Sequence, residues 1–372
     1  MKTVTYKYGT RRDIIYCLHG FGLLNMKMLS ILPGNRATQR KKIKEMVREE
    51  MLAEHDAPVN GRKRIYTIDE YEKNMKSFSD VIDRECIQYY RMRHKTKVRD
   101  AWSKTRKAKA QRYVYGAEIK AMMYSSGINC MPDEPKSFPA YLPSDEVKSF
   151  IGYTDNVKET NEGKKVSFSK VYGLLASDGG NYAIYNTDKK NLIWLSDGEY
   201  KIKIQLARML QKQVDSKAIL EDAIMFVPDL KDIIPFLDIG NKKSAGMYGI
   251  MNVYRSVYIL PYDDSGRDML KVMTSKDWRY LLLEASVGGY QDTKNVNYTC
   301  DHYDPKTETG TLVFCNGDIG RLKAFTDVAK IYNNREKFKV ICFDFQKDFV
   351  RAFTQGSCRI LTTPLSQYIS TV

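Results

Sequence analysis

Apolar residues recur at helical spacing over residues 10–24, where Ile14, Ile15, Leu18 and Phe21 line one side before Gly20 or Gly22 ends the helix. A short second helix is predicted over residues 25–32. Pro33-Gly34-Asn35 then breaks the chain, and Asn35 is a good cap for a third helix running to about His55. On that helix Ile43, Met46, Val47 and Met51 form an apolar stripe. After a loop, GRKRIYTI (residues 61–68) alternates charge with β-formers, as the second strand of a hairpin does. Residues 84–112 lack Gly and Pro and are rich in helix formers, with Tyr89, Tyr90, Trp102 and Tyr113 interleaved as apolar anchors, so a helical segment is expected there.

Four prolines in residues 129–143 (NCMPDEPKSFPAYLP) mark an extended connector, and beyond it the pattern changes. KVYGLLAS, the turn Asp178-Gly179-Gly180, NYAIYNT and NLIWLS read as three meandering strands. A helix over residues 197–213 and the strand AIMFVP follow. NVYRSVYILPY, TLVFCNG and KFKVICFDF are each a strand followed by a helix, at about residues 266–274, 318–333 and 346–354. A chain of 372 residues exceeds what one core usually serves. The expected fold class is therefore a multidomain α+β or α/β protein, divided into residues 1–70, a basic helical segment 71–128, a Pro-rich connector 129–145 and a mixed α/β region 146–372. No internal repeat alters that division.

Charge sharpens this picture. The net charge is +15, yet residues 1–120 hold 28 Lys and Arg against 14 Asp and Glu, so the rest of the chain is almost neutral. A local excess of this kind favours a polyanionic partner. Three helices with a tight turn before the third, followed by a basic hairpin, form the winged variant of the helix-turn-helix. In that arrangement Arg36, Arg40, Lys41, Lys44 and Arg48 fall largely off the apolar stripe, available to a major groove, and Arg62, Lys63 and Arg64 sit on the wing. Residues 84–112 hold eleven Lys and Arg against two acids. There Arg91, Arg93, Lys95, Lys97, Arg99, Lys104, Arg106 and Lys107 are candidates for phosphate contact. The competing readings are a plain helical bundle with a solvated charged face, and a solvated connector whose aromatics dock on the next domain.

The order helix, three strands, helix, strand between about residues 161 and 228 resembles the restriction-endonuclease-like core. Such nucleases need carboxylates for a divalent metal and a Lys near the attacking water. The third strand, NLIWLS, has no (D/E)xK triplet, and neither Asp178 nor Asp188 has a partner at the proper spacing, so a degenerate core is expected. Tyr89 and Tyr90 are candidate nucleophiles for strand nicking, but no His-hydrophobic-His pair exists to hold a metal. Asp178 completes the catalytic candidates. No cofactor is expected, with Mg²⁺ or Mn²⁺ only if the nuclease alternative holds, and no metal site. Asn316-Gly317-Asp318-Ile319-Gly320 lies between a strand and a helix, where α/β folds bind phosphates, but matches no phosphate-binding motif and reads as a turn and cap. The acidic loop around Asp263 and Asp264 reads as solvated. Seven scattered cysteines without a CxxC pair fit reduced thiols. With no apolar run long enough to span a bilayer and no signal-like N-terminus, the expected location is cytoplasmic.

The helix ending in Gly20-Phe21-Gly22-Leu23, the NRATQRKKIKEMV helix, the GRKRIYTI wing and, more loosely, the GLLASDGGNYAIYNT hairpin resemble the replication-relaxation type of winged-helix protein carried by Gram-positive plasmids and integrative elements. The resemblance covers the N-terminal fifth and touches the middle. It implies DNA binding in copy control or mobilisation, and in some members a nuclease-like second domain. The expected partners are duplex DNA and a second copy of the chain, with no membrane insertion. The alternatives are a DNA-acting nickase or nuclease with its site in residues 160–370, and a regulator whose C-terminal half senses a small ligand.

Overall fold

The computed structural model describes residues 11–32, 34–56, 64–68, 107–128, 148–152, 171–186, 196–237, 250–288 and 296–369. It is a mixed α+β protein that divides into two compact units, Met1–Tyr141 and Leu142–Val372. Among the described residues the three sheets are small and open. No described helix is long and apolar enough to cross a membrane.

In the first unit α1 (Arg11–Phe21) buries Ile14, Ile15, Cys17, Leu18 and Phe21, the spacing its sequence predicts. The expected second helix over 25–32 is replaced by a short strand, β1 (Leu24–Asn25), and one 3-10 turn (Met28–Ser30). Asn25 explains the change. Its side-chain oxygen accepts from the Met28 amide at 2.8 Å, and its amide donates to Glu118 at 2.9 Å, which pins the chain before a helix can start. The third helix, α2 (Arg36–Arg48), ends seven residues short of His55. Glu50 takes a positive φ of 56°, and β2 (Leu52–Asp56) then pairs antiparallel with β3 (Arg64–Ile68). Strand pairing overrides the helical propensity of the sequence that follows Arg48. β1 pairs with the other edge of β3, giving the order β1-β3-β2.

The helix α3 (Lys107–Ser125) is the described part of the basic stretch. It is a core helix from Val114 onward: Val114, Ala117, Ile119, Ala121, Met122 and Met123 are buried, and Phe21 meets Tyr124 edge-on. Of the basic stretch 84–112 only residues 107–112 are described, so the expectation of phosphate contact falls almost entirely outside the described residues.

The second unit holds two sheets. In the first, β4 (Lys148–Gly152), β5 (Val171–Ser177) and β6 (Gly180–Asn186) form an antiparallel meander, and β7 (Asp222–Val227) and β8 (Ser256–Pro261) continue parallel to β6. The meander therefore begins a strand earlier than its sequence suggests. Residues 191–195 of NLIWLS lie outside the described residues, and Ser196 opens helix α4 (Ser196–Gln213), which crosses from β6 to β7. Every residue of β7 is buried, as in a parallel strand covered on both faces.

Helices α5 (Asp264–Met273) and α6 (Trp278–Val287) follow. The second sheet has the order β12-β11-β10-β9, from β9 (His302–Asp304), β10 (Thr309–Val313), β11 (Phe338–Phe343) and β12 (Arg359–Thr363). Its last three strands are parallel, joined by α7 (Ile319–Tyr332) and α8 (Lys347–Thr354). The two sheets meet where the Ile259 amide donates to the Gly317 carbonyl at 3.0 Å and Tyr258 bridges Asp318.

Candidate nucleic-acid interface

The local chemistry of α2 builds an exposed cationic face. Asn35, in an extended conformation, accepts from the Thr38 amide at 3.1 Å and so caps the helix as its sequence predicts. Successive helical residues turn by about 100°. Gln39, Ile43 and Met46 therefore share one side, and they are the buried ones, while Val47 and Met51 are half-buried. Arg40, Lys44, Arg48 and Lys41 fall, with Ala37 among them, in an arc of about 100° turned away from that core. All five are exposed. The four cations of the arc have no ion pair among the described residues.

The acids of α2 and its end lie beyond this arc and are already engaged. Arg11 of α1 clasps both carboxylate oxygens of Glu49 and lies within 3.9 Å of Glu45. Lys42 pairs with Glu45 at 2.9 Å and, by that hydrogen bond, holds its carboxyl below the usual range. The separation of charges on α2 thus depends on a residue contributed by another helix, a partner that spacing within α2 does not reveal. Arg36 is displaced from the expected set, since its guanidinium donates to the Ser30 carbonyl at 2.7 Å.

On the hairpin, Arg64 is exposed and pairs with Glu54 at 2.9 Å across the two strands. Burial pushes the Tyr66 phenol up, with Glu54 acting in the same sense and Arg64 and Arg40 opposing it. Arg62 and Lys63 lie outside the described residues, as do Tyr89, Tyr90, Arg91, Arg93, Lys95, Lys97, Arg99, Lys104 and Arg106. Lys107 is the first residue of α3.

Of the catalytic candidates only Asp178 is among the described residues. Asp178 is exposed in the tight turn between β5 and β6. Among the described residues no group of three His, Cys, Asp or Glu side chains is placed to hold a metal ion. The loop at Asn316 to Gly320 is a turn and cap, as its composition predicts: Asp318 accepts from the Gly320 and Arg321 amides at 3.0 and 3.2 Å. Gly317, at φ 75°, lies so close to β8 that a Cβ there would sit 2.8 Å from the Ile259 carbonyl oxygen. The loop's polar groups are spent on the turn, on capping α7 and on the bond from the Ile259 amide to the Gly317 carbonyl. Asp263 likewise caps α5 through the Gly266 amide at 3.1 Å, and Asp264 pairs with Arg267 at 2.8 Å. Cys17, Cys300, Cys315, Cys342 and Cys358 are buried and form no disulfide among the described residues, and burial raises the Cys342 thiol to about 12. A thiol held so far above its ordinary value is a poor nucleophile.

The chain matches no protein-family model, no curated protein and no solved structure.

Proposed function

We propose that the chain is a DNA-binding protein of a mobile genetic element, gripping duplex DNA through residues 11–68 with α2 presented to the groove. The observation that carries this reading is the exposed face of α2, where Arg40, Lys41, Lys44 and Arg48 stand together without ion pairs among the described residues. A surface of that kind gains affinity by releasing counterions from phosphates, and its cations need not first be freed from carboxylates.

The surrounding elements support the reading. A helix, a helical turn, the capped helix α2 and a hairpin follow one another in the order of a winged helix-turn-helix, with β1 adding a third strand to the hairpin. Basic residues are concentrated in the same third of the chain. The setting in a plasmid or integrative element comes from the likeness of the Gly20–Leu23, α2 and hairpin segments to replication-relaxation proteins. A homodimer would present the α2 face twice, and the second unit would serve assembly, partner binding or regulation.

No arrangement among the described residues favours the nickase or nuclease reading. Incubation of the full chain with supercoiled plasmid and Mg²⁺ or Mn²⁺ separates the two. A salt-sensitive mobility shift with intact plasmid is the expected result, and nicked or linear product that disappears on Asp178→Ala or Tyr90→Phe would overturn it.

A further inference from the structure

The side chains that α2 leaves available restrict what it can read, an inference that rests on the DNA-binding reading above. A base pair in the major groove is discriminated by side-chain type: Arg or Lys on the O6 and N7 of guanine, Asn or Gln on adenine, Asp or Glu on the amino group of cytosine, and small apolar groups on the thymine methyl. Each type occurs on or beside α2, but the fold withdraws most of them. Asn35 spends its side-chain oxygen on the Thr38 amide as the helix cap. Gln39 is 3% exposed, on the core side. Glu45 and Glu49 are held by Lys42 and Arg11. Arg36 is tied to the Ser30 carbonyl. The adenine readers are thus buried or spent on the cap, and the cytosine readers are paired with cations of the fold.

What remains on the arc turned from the core is Arg40, Lys41, Lys44, Arg48 and, among them, Ala37, with Thr38 exposed beyond its edge. Arg40 and Arg48 both have the planar fork that engages two guanine acceptors at once, whereas a lysine acts as a point charge suited to phosphate. Arg40 stands nearer the N-terminus of α2, the end of a recognition helix that contacts base edges. Ala37 precedes Arg40 by three residues, a rise of about 4.5 Å along the helix, comparable to the spacing of roughly 3.4 Å between adjacent base pairs. We infer that this face recognises a guanine through Arg40 beside a thymine methyl contacted by Ala37, and that Arg40 is the residue that sets specificity. The partner is B-form DNA, because the major groove of A-form RNA is too narrow to admit the helix.

The test selects tight-binding duplexes from a random DNA pool with the full chain, then measures binding by fluorescence anisotropy. The measurement is repeated with 7-deazaguanine, which lacks the N7 acceptor, at each enriched guanine. Enrichment of guanine is expected, with a loss of about tenfold or more at one deazaguanine position for the unaltered protein. Arg40→Ala is expected to bind the two duplexes equally, and Arg40→Lys to show partial discrimination. Both variants alter an exposed side chain, so folding is not at stake. Selection without guanine enrichment, discrimination that survives Arg40→Ala, or a preference for duplex RNA would overturn this inference and leave the general DNA-binding reading standing. Failure to bind any duplex in a salt-dependent way would overturn that reading as well.

Discussion

At the residue scale, Asp318 is a buried acid whose environment opposes its charge. Burial raises its pKa, against hydrogen bonds from the Ser256 side chain and the Arg321 and Gly320 amides and the charge of Arg321. Because the folded-state value lies above the unfolded one, the favourable contribution of the neutral form is fully present below the ordinary carboxylate range. It declines as pH rises through the raised value. Asp318→Asn keeps an oxygen to cap α7 and removes the cost of burying a charge. It is expected to match or exceed the original protein in urea stability at pH 7 and to flatten the loss as pH rises above the ordinary carboxylate range. Asp318→Ala, which loses the cap, is expected to cost about 1 kcal/mol. Equal losses for Asn and Ala at pH 7 would contradict this account. Asn35→Ala is expected to cost about the same amount through the first turn of α2. Both caps were legible in the sequence because each lies within three residues of the amide it serves. The clasp of Glu49 by Arg11 spans 38 positions, and the tie of Arg36 to Ser30 depends on how an irregular turn closes; neither leaves a local signal.

At the scale of elements, close backbone approach fixes the turn between β5 and β6. A Cβ at Gly179 would lie 2.0 Å from the Met273 carbonyl oxygen, and the Gly179 carbonyl accepts from Tyr182 at 2.9 Å and Trp278 at 3.0 Å. Gly179→Ala must push the hairpin off the end of α5 and is expected to lower the thermal midpoint, at a cost of about 1–3 kcal/mol. An unchanged midpoint would mean the contact yields without cost. The sequence located this hairpin and β7, β8, β10 and β11, whose apolar runs end in turn residues. It overran α2 because Met51–Asp56 has helix-compatible composition and becomes a strand only by pairing with residues 64–68. It missed β12 because RILTT is short and exposed, with little apolar pattern to mark it. Of the candidate interface, the cationic residues of α2 were legible from helical spacing alone. The withdrawal of Arg36, Glu45 and Glu49 required tertiary contacts.

For the whole molecule, the asymmetry of charge is the property that bears most on function. Residues 1–120 carry nearly all of the net +15. If the basic stretch before α3 also contacts phosphate, charge reversal at Lys95, Lys97, Arg106 and Lys107 is expected to weaken binding to all duplexes alike and to reduce its dependence on salt, while leaving preference among sequences unchanged. An unaltered salt dependence would return that stretch to the role of a solvated connector. The central claim concerns α2, and one titration tests it most directly. The affinity of the full chain for duplex DNA is measured from low to moderate salt, beside the variant carrying Arg40→Ala, Lys41→Ala and Lys44→Ala. The account predicts a steep linear fall of log affinity with log salt concentration for the original protein, and for the variant a slope shallower by up to about 3, with sequence preference lost. An identical slope and an intact preference in the variant would contradict it.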